Sequence, residues 1–158
     1  MSNIFENPKQ FHTRILEEWA NDCKLNESKL DHEAIRIPAL HSKYLNYLQY
    51  AKKQCRAIER KHADVIFKRQ QWYDGRLSKE EMDELGWGYD PFKNQQVKTK
   101  EQRNRYYDAD AFLLNARDEI DQWRETIDAI EKIMTNVTWR HQILKNAIDF
   151  QRLMAGVL

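Results

Sequence analysis

SKLDHEAIRIPALHSKYLNYLQYAKKQCRAIERKHADVIFKRQQWYDG, residues 28–75, decides how this chain folds. Stepping alternately four and three residues from Leu30 gives Leu30, Ala34, Ile37, His41, Tyr44, Leu48, Ala51, Cys55, Ile58, His62, Val65, Arg69 and Trp72. All but His41, His62 and Arg69 are apolar. An apolar repeat of that period, held over about six heptads, is the seam of a helix lying along another helix. The stretch reads as one helix over 28–74, roughly 60 Å long if straight. Ser28, with Asp31 behind it, caps its start, and Gly75 stops it. Pro38 removes a backbone donor inside it and predicts a kink near Ile37, or a fresh helix start at Pro38.

Off the seam the same stretch is basic. Between Arg36 and Arg76, and counting Arg69 on the seam itself, Arg36, Lys43, Lys52, Lys53, Arg56, Arg60, Lys61, Lys68, Arg69 and Arg76 stand against only Glu59, Asp64 and Asp74, a surplus of seven positive charges where the whole chain has a formal +1. The opposite bias follows later. Tyr106, Ala109, Leu113, Ala116, Ile120, Trp123, Ile127, Ile130 and Met134 form a second apolar seam, flanked by eight acidic residues against four basic ones. This predicts an acidic helix over 106–135, packed antiparallel to the basic one. Exposed ion pairs contribute only about 0–1 kcal/mol each, so the apolar seams decide that packing.

The remaining segments are shorter. Residues 1–9 read as a lead-in, and Phe11, Ile15, Leu16 and Trp19 mark an amphipathic helix over 10–22. Residues 76–105 lose the pattern. Gly86, Gly88 and Pro91, among Trp87, Tyr89 and Phe92, predict an irregular loop, with one or two helical turns at Leu77–Met82. Asn136 to Thr138 predict a break. Beyond it Trp139, Ile143, Leu144, Ala147, Ile148, Phe150 and Met154 give a helix over 139–155 that is apolar around much of its circumference. Such a helix needs partners on more than one side. The expectation is a single all-α domain: two long antiparallel heptad-patterned helices with short N- and C-terminal helices, assembling into a helical homo-oligomer through the last of them.

Several chemistries have no residues to carry them. The four glycines, Gly75, Gly86, Gly88 and Gly156, build no phosphate loop ahead of a Lys-Ser/Thr pair. The five histidines form no His-Glu-x-x-His pattern, Cys23 and Cys55 have no metal-type spacing, and no apolar run reaches about 18 residues. The reading is a non-enzymatic chain without metal or cofactor, neither secreted nor membrane-spanning, with reduced thiols.

What remains is the basic helix. Charge of one sign repeated over several turns attracts a polyanion. Lys52, Lys53, Arg56, Arg60, Lys61, Lys68, Arg69 and Arg76 are candidate phosphate contacts, and Tyr73, beside Trp72, is the candidate for stacking on unpaired bases. This points to single-stranded DNA bound with little sequence preference. The alternative is a non-catalytic coiled-coil structural adaptor whose charge only solvates the helix.

Ser28-Lys29-Leu30 with Glu33-Ala34, the run from Ile37 to Leu45, Arg69 with Trp72-Tyr73-Asp74-Gly75, Pro91-Phe92 and the run from Gln142 to Arg152 together resemble the UvsY family, the recombination mediator proteins of myovirus-type bacteriophages. The resemblance implies a helical, ring-forming protein, a hexamer or heptamer, that binds single-stranded DNA in the cytoplasm of the infected bacterial host. It implies two further partners, the phage single-strand-binding protein and the RecA-like recombinase UvsX, which the family helps onto the strand. By position it assigns DNA contact to Arg69 and Lys68, with Phe67 where the family carries a basic residue. It assigns assembly to the segment from Ile143 to Met154.

Overall fold

Two helices of 44 residues each carry the fold. The computed structural model describes residues 7–157, and these contain α1 (Pro8–Asp22), α2 (Leu30–Tyr73), α3 (Lys79–Leu85), α4 (Lys100–Asp108) and α5 (Ala111–Met154), with no strand among the described residues. The chain gathers into two compact units. One joins the residues up to Cys55 with those from Gln122 onward, and the other is Arg56–Asp121.

In the first unit α1 starts at Pro8, earlier than the expected lead-in allows. The Asn7 side chain accepts from the Lys9 amide, and proline at the first position gives up an amide that would have had no helical partner. The rest of that lead-in lies outside the described residues. α1 runs antiparallel to the first part of α2, with the buried Phe11 ring 5.2 Å from Tyr50 and 5.6 Å from Trp123, and Trp19 edge-on to Tyr44 at 5.5 Å. Ile15, Tyr44, Leu48, Ala51, Ile130, Val137 and Leu144 are among the other buried residues of this unit.

Pro38 lies inside α2, which runs through it. Pro38 and Ala34, whose carbonyl loses its helical donor, are both exposed, so water can take the place of the missing bond. The seam before Tyr44 is rotated from the expected one: Glu33 and Leu40 are buried, whereas Ala34 and His41 are exposed. Glu33 holds that register because Arg140, itself buried, donates to its carboxylate at 3.0 Å. The same guanidinium donates to the carbonyls of Asp22, Cys23 and Lys24, closing the C-terminal end of α1. Burial pushes the Glu33 carboxyl upward, but the hydrogen bonds from Arg140 and the Asn26 amide, with the nearby Arg36 charge, hold it below its ordinary range. Asp22 is bound in turn by Arg36, Lys43 and the Tyr44 hydroxyl.

Two expectations are corrected. The break at residues 136–138 does not exist, and the separate acidic and C-terminal helices are one helix, α5, from Ala111 to Met154. Thr135, Asn136 and Thr138 each donate to the carbonyl four residues back, on Glu131, Lys132 and Met134. Their side chains therefore bond to the helix instead of drawing its backbone away, while Ile133, Val137, Arg140 and Leu144 keep a buried stripe running through. The region 76–105 is irregular only over 86–99: α3 supplies the helical turns expected near Leu77–Met82, and α4, starting at Lys100, was not expected. Ser78 and Glu81 form a reciprocal capping box for α3, which ends at the left-handed Gly86, and Thr99 and Gln102 do the same for α4. Tyr106 accordingly belongs to α4, and α5 begins only after Asp110.

Candidate nucleic-acid interface

In the second unit the far end of α2 meets the start of α5 antiparallel, and Ile58, Tyr73, Leu77, Met82, Leu113, Ala116 and Ile120 are its buried apolar residues. His62 on α2 bonds Glu119 on α5 at 2.6 Å. Asp110 is the fixed point of this end. One carboxylate oxygen accepts from the Phe112 and Leu113 amides, capping α5, and the other accepts from Arg69 Nε at 2.8 Å and the Tyr73 hydroxyl at 2.6 Å. Burial pushes the Asp110 carboxyl up, but the bonds from Tyr73, the Leu113 amide and Arg69 outweigh it and hold the group below its ordinary value. Burial first, and then the bond to Asp110, push the Tyr73 phenol up.

The rings close around this pair. The Arg69 guanidinium carbon stands 4.1 Å from the Trp72 ring centroid, 4.6 Å from Trp87 and 5.5 Å from Phe112. The Trp72 indole donates to the Gly88 carbonyl at 2.8 Å, and Tyr73 lies against Phe92 and Tyr107. Trp87, Phe92, Tyr107 and Phe112 thus fold onto the end of α2. Two expected contacts change character. Tyr73 is 7% exposed and offers no open face for stacking, and Arg69 is committed to a carboxylate and three rings. Both residue types suit nucleic acid, but here the fold consumes them.

The other basic residues divide by their counter-charges. Lys68 bonds Asp64 at 3.3 Å, four residues back, and Lys61 lies 3.8 Å from Glu119. Arg56 and Arg60 are exposed on α2, and Arg76 is exposed beyond its end. None of these three has an ion pair among the described residues. In the first unit Lys52 is tied to Glu131 at 2.9 Å, whereas Lys53 is exposed. Arg56 and Arg60, one helical turn apart, are the open cations on α2 in the second unit. Phe67, 59% exposed, shares their face; the resemblance puts it where the family carries a basic residue, and as a phenylalanine it was not chosen as a contact. Its signal was available: it follows Arg60 by seven residues, two helical turns, off the apolar seam.

The segment expected to mediate assembly also divides. Leu144 is buried in the core of the first unit, and Ala147 and Ile148 are half-buried. Trp139, Ile143, Phe150 and Met154 are 52–73% exposed, joined by Leu153 and Val157, which sequence reasoning missed. Trp139, Ile143, Phe150 and Leu153 follow heptad spacing along one face of α5, as a helix prepared for a partner would, and Val157 is exposed beyond its end.

No helix among the described residues is long and apolar enough to cross a membrane. Two crystal structures of the bacteriophage T4 recombination mediator protein UvsY resemble this fold. One, in lattice type II, gives a TM-score of 0.74 at 22% identity over 90% of this chain and 96% of that one. The other, in lattice type I, gives 0.71 at 21% identity over 89% and 98%. No curated protein matches the chain in sequence. The family described as recombination, repair and single-stranded-DNA-binding protein UvsY matches residues 18–157, nearly the whole of the helical structure above. With that match running through both long helices, the chain belongs to the UvsY family.

Proposed function

We propose that this protein is a recombination mediator that binds single-stranded DNA and promotes loading of a RecA/UvsX-like recombinase onto strand coated by single-strand-binding protein. It serves phage homologous recombination, replication and repair in the cytoplasm of the infected host. The observation that carries the reading is the pair Arg56 and Arg60, exposed on α2 and free of ion pairs among the described residues, in a chain of this family. A guanidinium without an internal counter-charge is open to phosphate oxygens, which it binds through charge-assisted hydrogen bonds. Such contacts are sequence-blind and weaken steeply with salt.

Lys53, Lys61 and Arg76 supplement that pair, while Arg69 and Tyr73 act by holding the end of α2 in shape. One such patch is weak, and assembly through the Trp139–Leu153 stripe makes many patches act on one strand. The chain is not itself a catalyst in this reading; ATP turnover belongs to the recombinase. The test is the ATPase rate of the recombinase on single-stranded DNA coated with its binding protein. Wild type should shorten the lag before turnover, and Arg56→Ala/Arg60→Ala should not, at equal helicity by circular dichroism. A protein with no effect on the lag and no affinity for single-stranded DNA would instead be a coiled-coil adaptor.

A further inference from the structure

We infer that Phe67 is the side chain on which an unpaired base of the bound strand stacks, an inference that rests on the DNA-binding reading above. With Tyr73 buried and Trp72 held by Gly88 and the Arg69 guanidinium, the stacking surfaces that the sequence offered are spent inside the fold. Phe67 is open: 59% of its surface faces solvent, and it makes no ring contact among the described residues. At 3.6 residues per turn, Arg56, Arg60 and Phe67 fall within about 40° of one another around α2, spread over roughly 16 Å of its length. Ala63 lies between Arg60 and Phe67 on the same side and is too small to cover either.

A lone exposed apolar residue needs no explanation on a neutral surface. This one shares its face with two arginines that have no counter-charge, so the surface that attracts a phosphate chain also carries a ring. A single-stranded nucleic acid supplies the complement of both, since its backbone is anionic and every unpaired base has a flat π-face. A folded protein partner is the competing occupant, and the experiment separates the two.

The experiment measures fluorescence anisotropy on two labelled oligonucleotides of equal length, poly-dT and an abasic backbone, for wild type, Phe67→Ala and Phe67→Tyr. Phe67 is exposed on a helix, so these variants leave the core untouched. Wild type should prefer poly-dT to the abasic strand by about tenfold, Phe67→Ala should lose most of that preference, and Phe67→Tyr should keep it. The salt dependence should be the same for all three, because no phosphate contact is removed. If Phe67→Ala binds poly-dT as wild type does, or keeps the preference for bases, the inference falls and the DNA-binding reading stands. If wild type binds neither strand, both fall together.

Discussion

Replacing Arg69 with alanine separates a structural arginine from a DNA-contacting one. The substitution leaves the buried Asp110 carboxylate without its cation, although the two amides and the Tyr73 hydroxyl remain. Breaking one side of a buried pair costs about 3–5 kcal/mol, and these remaining bonds put this case near ~3 kcal/mol. Loss of the guanidinium from between Trp72 and Trp87, 4.1 Å and 4.6 Å away, adds about 1 kcal/mol. Roughly 4 kcal/mol is a large share of the 5–15 kcal/mol that holds a typical domain. At a slope of about 2 kcal/mol per molar urea, the midpoint should fall by about 2 M. Urea titration followed by tryptophan emission measures it, since Trp72 and Trp87 line the cluster. An unmoved midpoint, with weaker DNA binding and a shallower salt dependence, would refute the reasoning and return Arg69 to the phosphates.

Arg140→Ala should cost about 3–5 kcal/mol, stranding Glu33 and uncapping α1, and should lower the melting temperature by about 10 °C in calorimetry. Because the folded pKa of Asp110 lies below its ordinary 3.8, the stability it contributes is present above that value and is lost as pH falls through the folded pKa. Asp110→Asn should therefore be less stable at neutral pH yet lose stability less steeply below about pH 4, as urea midpoints across pH would record. Phe150→Asp places a charge in the middle of the exposed apolar stripe. Light scattering should show its mass falling toward that of one chain while its helicity is unchanged.

The long helices were legible because a heptad pattern survives noise: ten of the thirteen seam positions expected in α2 are apolar, and the buried residues from Tyr44 to Ile58 follow them. The register before Tyr44 was not legible. Glu33 enters the seam only because Arg140, more than a hundred residues away in sequence, neutralises it. The break expected at Asn136 to Thr138 treated polar side chains as competitors for the backbone, whereas in place they bond to their own helix. The Thr99 and Gln102 capping box that starts α4 was present in the sequence, hidden among residues without apolar periodicity. For the candidate interface, composition located the basic helix, and the heptad step set Arg69 on the seam and Arg60 off it; what the pattern could not show is that Asp110 and three rings meet Arg69 there.

The most direct test of the central claim is the affinity for single-stranded DNA across a salt series, for wild type and for Arg56→Ala/Arg60→Ala at equal assembly mass. Each phosphate contact on a single strand contributes about 0.7 to the slope of log affinity against log salt, so removing two should make it shallower by about 1.4 per protomer engaged. Weaker binding with that shallower slope is the predicted result. Equal slopes and equal affinities, or a wild-type protein that does not bind at low salt, would contradict the account.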